Sequence, residues 1–296
     1  MPYIQILRPY QWSKNLILFA AILFSPTQIA KDPAAWFKII QAFAAFCLMS
    51  GAVYILNDIF DLKKDRIHPD KCNRPLPARK ISLPVAWIYD AVVIIISLVW
   101  GFSLETLFGW ILAVYFVINL VYSIGVKNIV ILDILFLSFG FVLRALGGVV
   151  VLSHIMPNFY LSPWLAFCAL LLSLFLVLGK RRHEMHILED NASEHRTALG
   201  HYSITFIDHL LSVVSASTIM SYCLYTISDD TAQLYNTKNL FFTVPFVIFG
   251  VFRYLYLIFR KTEGGDPSKL LFQDLPTLIN VILWIVASAV VVYVIR

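Results

Sequence analysis

Residues 35–65 read AWFKIIQAFAAFCLMSGAVYILNDIFDLKKD, an apolar run of membrane-spanning length that ends in a cluster of acidic side chains. A helix needs about 20 mostly apolar residues to cross a bilayer, and the stretch 35–59 meets that requirement. Charged groups are costly inside a membrane, so the acidic cluster belongs at the end of this helix, at a membrane surface. The stretch therefore predicts a membrane helix with polar chemistry at one end.

The composition of the whole chain agrees with a membrane protein. Of its 296 residues, 59% are hydrophobic and 14% are charged, and the mean hydropathy is +0.77. Soluble domains carry roughly 25% charged residues, so an ordinary cytosolic enzyme, a secreted disulfide scaffold and a disordered chain are excluded. The four cysteines show no spacing typical of a disulfide framework or a zinc site. We expect one all-α integral membrane domain over residues 1–296.

Nine stretches are apolar and long enough to span a bilayer, and we predict a transmembrane helix for each. Their approximate bounds are 15–30, 35–59, 83–103, 106–124, 130–152, 162–179, 205–227, 240–259 and 275–295. Lysine and arginine are concentrated at the N-terminus and in the loops after the second, fourth, sixth and eighth stretches. Because positive loops stay in the cytoplasm, the N-terminus and these loops are predicted to be cytoplasmic.

The acidic residues at the end of the second stretch are predicted to share one face of a helix. At 100° per residue, Asn57, Asp58, Asp61 and Asp65 fall within an arc of roughly 100°. Carboxylates that lie this close repel one another unless a cation neutralises them. Their oxygens are hard ligands of the kind that Mg²⁺ takes, so we predict that these four residues bind Mg²⁺ and that the aspartates are catalytic. The alternative is a solvated helix end whose acids pair with neighbouring basic residues.

A basic loop follows the acidic face directly. Arg66, His68, Lys71 and Arg74 lie within ten residues of Asp65. A diphosphate bound through a metal needs further positive groups for its remaining oxygens, and arginine supplies paired hydrogen bonds to phosphate. We therefore predict that this loop binds a diphosphate substrate. The alternative, that these residues only set the membrane topology, explains their charge but not their position.

Two sets of motifs carry a resemblance to a known family. Residues 57–65 (NDIFDLKKD), followed by Asn-Arg-Pro at 73–75, resemble the first aspartate-rich motif of the UbiA prenyltransferase superfamily. Residues 8–15 (RPYQWSKN) and 65–75 (DRIHPDKCNRP) more narrowly resemble the branch of decaprenyl-phosphate phosphoribosyltransferases. The resemblance implies a UbiA-like bundle of nine helices in the inner membrane of a prokaryote, and it adds Lys14 to the substrate-binding residues.

The resemblance also implies an activity. Enzymes of this branch transfer 5-phosphoribose from phosphoribosyl diphosphate (PRPP) to a polyprenyl phosphate of the decaprenyl type, with Mg²⁺ as the cofactor. An alternative within the same fold is transfer of a prenyl group from a prenyl diphosphate to an aromatic or other small acceptor. A transporter is disfavoured because the acidic cluster lies at one surface and no chain of charges crosses the bilayer. We expect no nucleic-acid partner, and a homo-oligomer is left open.

The turn between the fourth and fifth stretches supplies three further candidates. Tyr122, Lys127 and Asp133 resemble the Tyr-x4-Lys-x5-Asp pattern of the same family. Gly125 breaks the helix here, Lys127 can reach a phosphate, and Asp133 places an acid at the start of the next helix. We predict that all three bind substrate, although such a turn by itself is common in membrane proteins.

Three basic residues deeper in the sequence complete the predicted site. Arg144 lies on nearly the same helix face as Asp133, about 16 Å deeper, and is either a substrate ligand or a buried structural arginine. Lys180 and Arg182 leave the sixth stretch where most of the superfamily has a second acidic motif. Asp190 and Glu194 are a poor substitute for that motif. We predict that Lys180 and Arg182 bind a substrate phosphate, with topological anchoring as the alternative and Arg181 pointing about 100° away.

Overall fold

The computed structural model describes residues 1–23, 25, 30–68, 71–155, 162–188, 202–260, 270 and 273–294. These residues contain eight helical segments that are long and apolar enough to cross a membrane, so the chain is an integral membrane protein. We label the α-helices α1 to α8: Pro33–Phe60, Leu83–Leu104, Thr106–Ile124, Leu132–Val151, Pro163–Leu188, Ile204–Ile227, Val244–Arg260 and Leu275–Tyr293. A 3₁₀ helix, Asn239–Thr243, leads directly into α7.

The chain before α1 is less regular than the predicted first span. Pro9–Phe19 forms a 3₁₀ helix and Ala20–Leu23 a short α-helix; we call residues 9–23 the first segment. The predicted span 15–30 includes residues 24 and 26–29, which lie outside the described residues. The prediction of nine spans therefore stays a prediction, while the other eight coincide with α1 to α8.

Several helices begin at residues that the sequence marks as caps. The Asp32 side chain accepts a hydrogen bond from the Ala34 N–H at 2.9 Å ahead of α1, and Pro33 occupies the first helical position. Ser203 accepts from the Phe206 N–H at 3.1 Å ahead of α6. Such side chains accept hydrogen bonds from backbone N–H groups that the start of a helix leaves unpaired. An N–H group without a partner is costly near a membrane. The caps therefore fix where α1 and α6 begin.

α1 is the central helix of the bundle. It packs against α2, α3, α4 and the first segment, whereas α8 contacts mainly α7 and its preceding turn. In α1, 67% of the apolar window is buried, against 22% in α8. The acidic residues at the end of α1 consequently lie among the ends of its neighbours rather than at the rim of the bundle.

The first segment is held by close contacts with two helices, α4 and α8. A side chain at Gly148 of α4 would place its Cβ only 2.4 Å from the Leu18 carbonyl oxygen, so only glycine permits this approach. The Tyr293 hydroxyl, at the end of α8, donates to the carbonyl oxygens of Ile22 and Leu23 at 2.8 and 3.0 Å. The first segment is thereby fixed between α4 and α8.

Candidate active site

Polar side chains from several helices meet where α1, α3 and α5 end and α4 begins; we call this the charged end of the bundle. The Ser123 hydroxyl on α3 donates to the amide oxygen of Asn57 on α1. Lys127, in the turn after α3, lies 2.7 Å from an Asp61 carboxylate oxygen. The structure therefore brings the predicted acidic face of α1 and the predicted turn after α3 into direct contact.

Asp58, Asp61 and Asp65, which we call the carboxylate cluster, are matched by positive side chains. A single nitrogen of Arg74, Nη1, lies 3.1 Å from Asp58 Oδ1 and 2.8 Å from Asp65 Oδ2. Arg8 also pairs with Asp58, and Lys71 Nζ lies 3.8 Å from Asp65 Oδ1. Asp58 and Asp65 are 2% and 3% exposed, so both charges are desolvated and depend on these partners.

Asp61 differs from the other two aspartates because α1 ends immediately before it. Its backbone angles, φ −92° and ψ 7°, separate α1 from a short helix, Leu62–Ile67, that carries Asp65. Backbone hydrogen bonds still join Asp61 to Asn57 and Asp65 to Asp61, so the predicted common face survives the break. The Asp61 side chain is 35% exposed and pairs with Lys127. It is therefore the most accessible carboxylate of the cluster.

The carboxylate cluster fits Mg²⁺ by the chemistry of its donors. It offers three carboxylates and the nearby Asn57 amide, all oxygen ligands of the kind that Mg²⁺ prefers. Within the described ranges, no three acidic, histidine or cysteine side chains are arranged around a common point that could hold a metal ion. Arg74 instead lies between Asp58 and Asp65. If Asp58 and Asp65 held a metal ion, the Arg74 guanidinium would have to give up its contacts with them.

Three further predicted residues, Arg66, His68 and Lys14, belong to the basic loop and the N-terminal motif. Arg66 is exposed on the short helix after Asp61. His68 accepts a hydrogen bond from the Lys71 N–H at its Nδ1, 3.3 Å away, and thus shapes the loop that carries Lys71. Lys14 is half-buried in the first segment. The N-terminal residue that reaches Asp58 is Arg8, which the prediction did not include among the site residues.

Tyr122 and Asp133 belong to a second polar group, centred on Arg181 of α5. Arg181 Nε lies 3.1 Å from Asp133 Oδ2, and its Nη1 lies 2.6 Å from Glu184 Oε2. Its Nη2 is 3.5 Å from the Tyr122 hydroxyl. Arg181 and Asp133 are each at most 2% exposed. The contact between Arg181 and Asp133 thus links α5 to α4 inside the bundle.

Tyr202 completes this second polar group. We call the group the buried arginine network; its members are Tyr122, Asp133, Arg181, Glu184 and Tyr202. Its hydroxyl donates to Asp133 Oδ1 at 2.8 Å and accepts the Ile131 N–H at 2.7 Å. Burial raises the pKa of the Tyr202 phenol, so the group stays protonated at neutral pH and can donate to Asp133. Ile131 has φ 71°, a costly conformation for a β-branched residue. The bond to Tyr202 helps to hold this strained residue at the start of α4.

Lys180 and Arg182 pair with acidic side chains, and their predicted role in binding a substrate phosphate stays a prediction. Lys180 is 46% exposed and lies 3.8 Å from Glu184, while Arg182 Nε lies 2.7 Å from Asp208 on α6. Successive residues of a helix are rotated by 100°, so Arg181 contacts Asp133 on α4 while Arg182 contacts α6. The other candidates in this region, Asp190 and Glu194, lie outside the described residues.

Arg144 is enclosed by protein groups well inside the membrane. Its Nε donates to the Asn15 side chain at 2.7 Å, and Nη1 and Nη2 donate to the Gly140 carbonyl and the Tyr115 hydroxyl, both at 2.8 Å. The guanidinium carbon also lies 4.8 Å from the centroid of the Tyr115 ring. These bonds join the first segment to α3 and α4. They favour the structural alternative for Arg144 over a substrate contact.

The structure places five residues in these groups that are not among the predicted site residues: Arg8, Ser123, Arg181, Glu184 and Tyr202. Arg8 stands in the motif at 8–15, and a hydrogen-bonding role for Ser123 follows from its place beside Tyr122. Helical phase alone could have identified Arg181 only if the orientation of α5 were known. No sequence signal indicates Tyr202, because its role depends on a tertiary contact with Ile131.

The fold and this arrangement define a class of membrane enzyme. The chain belongs to the UbiA prenyltransferase family, whose sequence model matches residues 17–282. It is accordingly a transferase of the UbiA superfamily. A solved UbiA homolog from Archaeoglobus fulgidus, bound to DMAPP and Mg²⁺, superposes with a TM-score of 0.74. The superposition covers 99% of this chain and 100% of that one, and at 17% sequence identity it shows a common fold.

Curated relatives with a more specific name match almost the whole chain. A decaprenyl-phosphate phosphoribosyltransferase from Corynebacterium glutamicum is 30% identical over 98% of this chain and 86% of its own length. An enzyme of the same name from Mycolicibacterium smegmatis is 29% identical over 98% of this chain and 92% of its own. The resemblance found in the motifs at 8–15 and 57–75 therefore extends along nearly the full sequence.

Proposed function

We propose that this protein transfers 5-phosphoribose from PRPP to a polyprenyl phosphate of the decaprenyl type and releases diphosphate. The observation that carries the proposal is a set of ion pairs at the charged end, in which carboxylates of the cluster contact Arg8, Lys71 and Arg74. Acidic groups serve a metal ion, and the adjacent cations serve the phosphate oxygens that the metal leaves free. The activity named for both curated relatives supports the same donor and acceptor.

The carboxylate cluster would hold Mg²⁺, with Asn57 as an additional oxygen donor. When bound, the ion neutralises the charge that develops on the departing diphosphate. Arg74 and Lys127 now pair with Asp58, Asp65 and Asp61. In the substrate complex these two cations would pair with phosphate oxygens, and the carboxylates would then be available to hold Mg²⁺.

The reaction needs little more from the protein than charge neutralisation and alignment. The bond between ribose C1 and the diphosphate oxygen breaks, and an oxygen of the lipid phosphate forms a new bond to C1 from the opposite face. Because the acceptor oxygen is already anionic, no general base has to remove a proton. Holding the two anions in line, with their charges matched by cationic side chains, accounts for the catalysis. The buried arginine network contacts Tyr122 and Ile131, which flank the turn carrying Lys127, and so holds that turn in place.

The proposal places the enzyme in the inner membrane of a prokaryote with the charged end facing the cytoplasm. The distribution of lysine and arginine supports this orientation, because the positive loops lie at the charged end. PRPP is a water-soluble, highly charged donor, whereas the acceptor is a membrane lipid. An active site at a membrane surface is accessible to both.

The test is a transfer assay on the purified full chain in detergent micelles with Mg²⁺. One reaction contains radiolabelled PRPP and decaprenyl phosphate, and a parallel reaction contains labelled geranyl diphosphate and an aromatic acid. We expect label to enter the lipid fraction in the first reaction only, and chelation of Mg²⁺ to abolish it. Product in the second reaction alone would replace this proposal with prenyl transfer, the alternative that the fold also permits.

A further inference from the structure

A groove of about 460 Å³ lies on the outward face of α7. Its lining residues all belong to this helix: Pro245, Ile248, Phe249, Phe252, Arg253 and Tyr256. Phe249, Phe252 and Tyr256 are exposed, so in a membrane helix this face is directed toward lipid. None of the lining residues belongs to the carboxylate cluster or the buried arginine network, so the groove is separate from the proposed active site.

Arg253 is the charged residue of the groove, and the protein uses only part of its guanidinium. Its Nε and Nη2 donate to the two carboxylate oxygens of Asp274, at 3.0 and 2.8 Å. Within the described part of the chain, Nη1 donates no hydrogen bond, although it carries two of the five N–H groups of the side chain. The Arg253 side chain is 24% exposed, and its guanidinium carbon lies 5.1 Å from the centroid of the Tyr256 ring. Arg253 can therefore bind a further anion without giving up Asp274.

The ion pair with Asp274 places Arg253 near the membrane surface. Asp274 is the cap at the start of α8, a helix of 19 residues. Such a helix is about 28 Å long, close to the roughly 30 Å thickness of the hydrocarbon core of a bilayer. The start of α8 thus lies close to one boundary of this core, and Arg253 lies beside it. Phospholipid phosphates are located at the same level.

The polarity of the groove changes along α7. Arg260 is exposed and follows Arg253 by seven residues, two helical turns, so it lies on the same face about 10 Å closer to water. In the other direction the groove extends to Pro245, eight residues or about 12 Å toward the bilayer centre, past Phe249 and Phe252. Two arginines and one aspartate leave a net charge of +1 at the surface end. The groove therefore offers a cationic end to a headgroup and an aromatic wall to a hydrocarbon chain.

We propose that this groove binds one anionic phospholipid of the phosphatidylglycerol type. Its phosphate accepts hydrogen bonds from Arg253 Nη1, and one acyl chain lies along Phe249 and Phe252. Arginine forms strong charge-assisted bonds to phosphate, and basic residues at the edge of a membrane helix favour anionic lipids. Phosphatidylcholine has the same phosphate, but Arg260 repels its quaternary ammonium group, so it binds more weakly. Because the ligand binds to the folded protein, it stabilises that state.

The experiment measures the thermal midpoint of the full chain in micelles of a neutral detergent. Phosphatidylglycerol, phosphatidylcholine and glycerol 3-phosphate are added in separate titrations, the two phospholipids at equal mole fractions. We expect phosphatidylglycerol to raise the midpoint by several degrees with saturation, phosphatidylcholine by less than half as much, and glycerol 3-phosphate, which lacks acyl chains, not at all. Equal shifts with the two phospholipids would overturn the proposal, because they would show only general contact with lipid.

Two variants assign the effect to the groove. Arg253→Gln should remove the difference between the two phospholipids, which is compared within each variant because this change also breaks the Asp274 pair and lowers the starting midpoint. Phe252→Ala keeps that pair and should weaken the response to phosphatidylglycerol. The matched control is Phe242→Ala, which removes an exposed ring ahead of α7 and outside the groove and should keep the full response.

Two further results would contradict the proposal. One is an unchanged response to phosphatidylglycerol in both Arg253→Gln and Phe252→Ala, which would place the lipid elsewhere. The other comes from a parallel titration with decaprenyl phosphate. If decaprenyl phosphate but not phosphatidylglycerol gives a shift that Arg253→Gln removes, the groove takes a polyprenyl phosphate instead of a phospholipid.

Discussion

At the scale of single residues, Arg74 compensates the charge of two buried aspartates of the carboxylate cluster. Its Nη1 contacts carboxylates of two of them, while Arg8 and Lys71 add further positive charge. Removing one partner of a buried ion pair leaves the other charge uncompensated, which typically costs 3–5 kcal/mol. Substitutions at Asp58, Asp65 and Arg74 will therefore combine effects on stability with effects on binding.

Asp61 offers a cleaner test of the carboxylate cluster because it is partly exposed and pairs with one lysine. Asp61→Asn is nearly isosteric and removes one negative charge from the proposed metal site. We expect transfer activity to fall more than 100-fold at saturating Mg²⁺, with a thermal midpoint close to that of the wild type. Asp32→Asn, which keeps the cap of α1 at the opposite end, is the control and should retain full activity. Wild-type turnover in Asp61→Asn would remove this residue from the metal site.

The neighbouring residues Lys180 and Arg181 allow an exposed charge to be compared with a buried one. Lys180→Gln removes an exposed lysine and should change both the thermal midpoint and KM by little, because exposed ion pairs contribute at most about 1 kcal/mol. Arg181→Gln leaves Asp133 buried without its cation and should destabilise the protein by about 3–5 kcal/mol. Denaturant unfolding in detergent, read from tryptophan fluorescence, measures both. The reverse order of effects would show that α5 has a different rotation.

Asp274, the cap of α8, gives a prediction about pH. Two hydrogen bonds from Arg253, at 3.0 and 2.8 Å, hold the pKa of its carboxyl well below the ordinary value of about 3.9. A group with a lowered folded pKa stabilises the native state above its unfolded pKa and loses that effect as the pH falls. We expect the wild type to have a higher thermal midpoint than Arg253→Gln at pH 6. The difference should shrink as the pH is lowered toward 3, and a constant difference would refute the linkage.

At the scale of helices, the sequence predicted those features that depend on local properties such as hydropathy and residue spacing. Length and hydropathy located α1 to α8, and spacing placed Asn57, Asp58, Asp61 and Asp65 on a common face. Two features depend on tertiary packing and do not follow from the sequence alone. The rotation of α5 selects Arg181 rather than its neighbours, and the first segment adopts a 3₁₀ helix where apolar composition alone predicts a regular span. Neither a helix rotation nor its local geometry can be read from hydropathy.

Contact between the first segment and α4 can be tested with two glycines. Gly148→Ala places a methyl group against the Leu18 carbonyl oxygen, so the two elements must separate and the thermal midpoint should fall by several degrees. Gly125→Ala is the matched control. Its Cβ would meet nothing within 4 Å, and its φ of −160° suits any residue. Equal midpoints for the two variants would show that the first segment is held less closely than the structure indicates.

At the scale of the whole molecule, the two ends of the bundle differ in polarity. Ion pairs of the carboxylate cluster and the buried arginine network occupy one end, and an apolar cavity of about 1150 Å³, lined in part by the first segment and α8, lies toward the other. Between them, Arg144 donates hydrogen bonds to the neutral side chains of Asn15 and Tyr115, so its guanidinium is satisfied inside the bundle. This polarity suits an enzyme whose proposed donor is soluble in water and whose proposed acceptor is anchored in lipid.

The hydrogen bonds from Tyr293 to Ile22 and Leu23 also bear on how the protein is made. They join residues 271 and 270 positions apart, so the two partners leave the ribosome at very different times. At 5–20 residues per second, translation of the intervening chain takes roughly 15–50 s. During that interval the first segment is already in the translocation machinery or the bilayer while α8 does not yet exist. Native docking of the first segment against α8 is therefore a late event of biosynthesis, and until it occurs this side of the bundle is open to lipid.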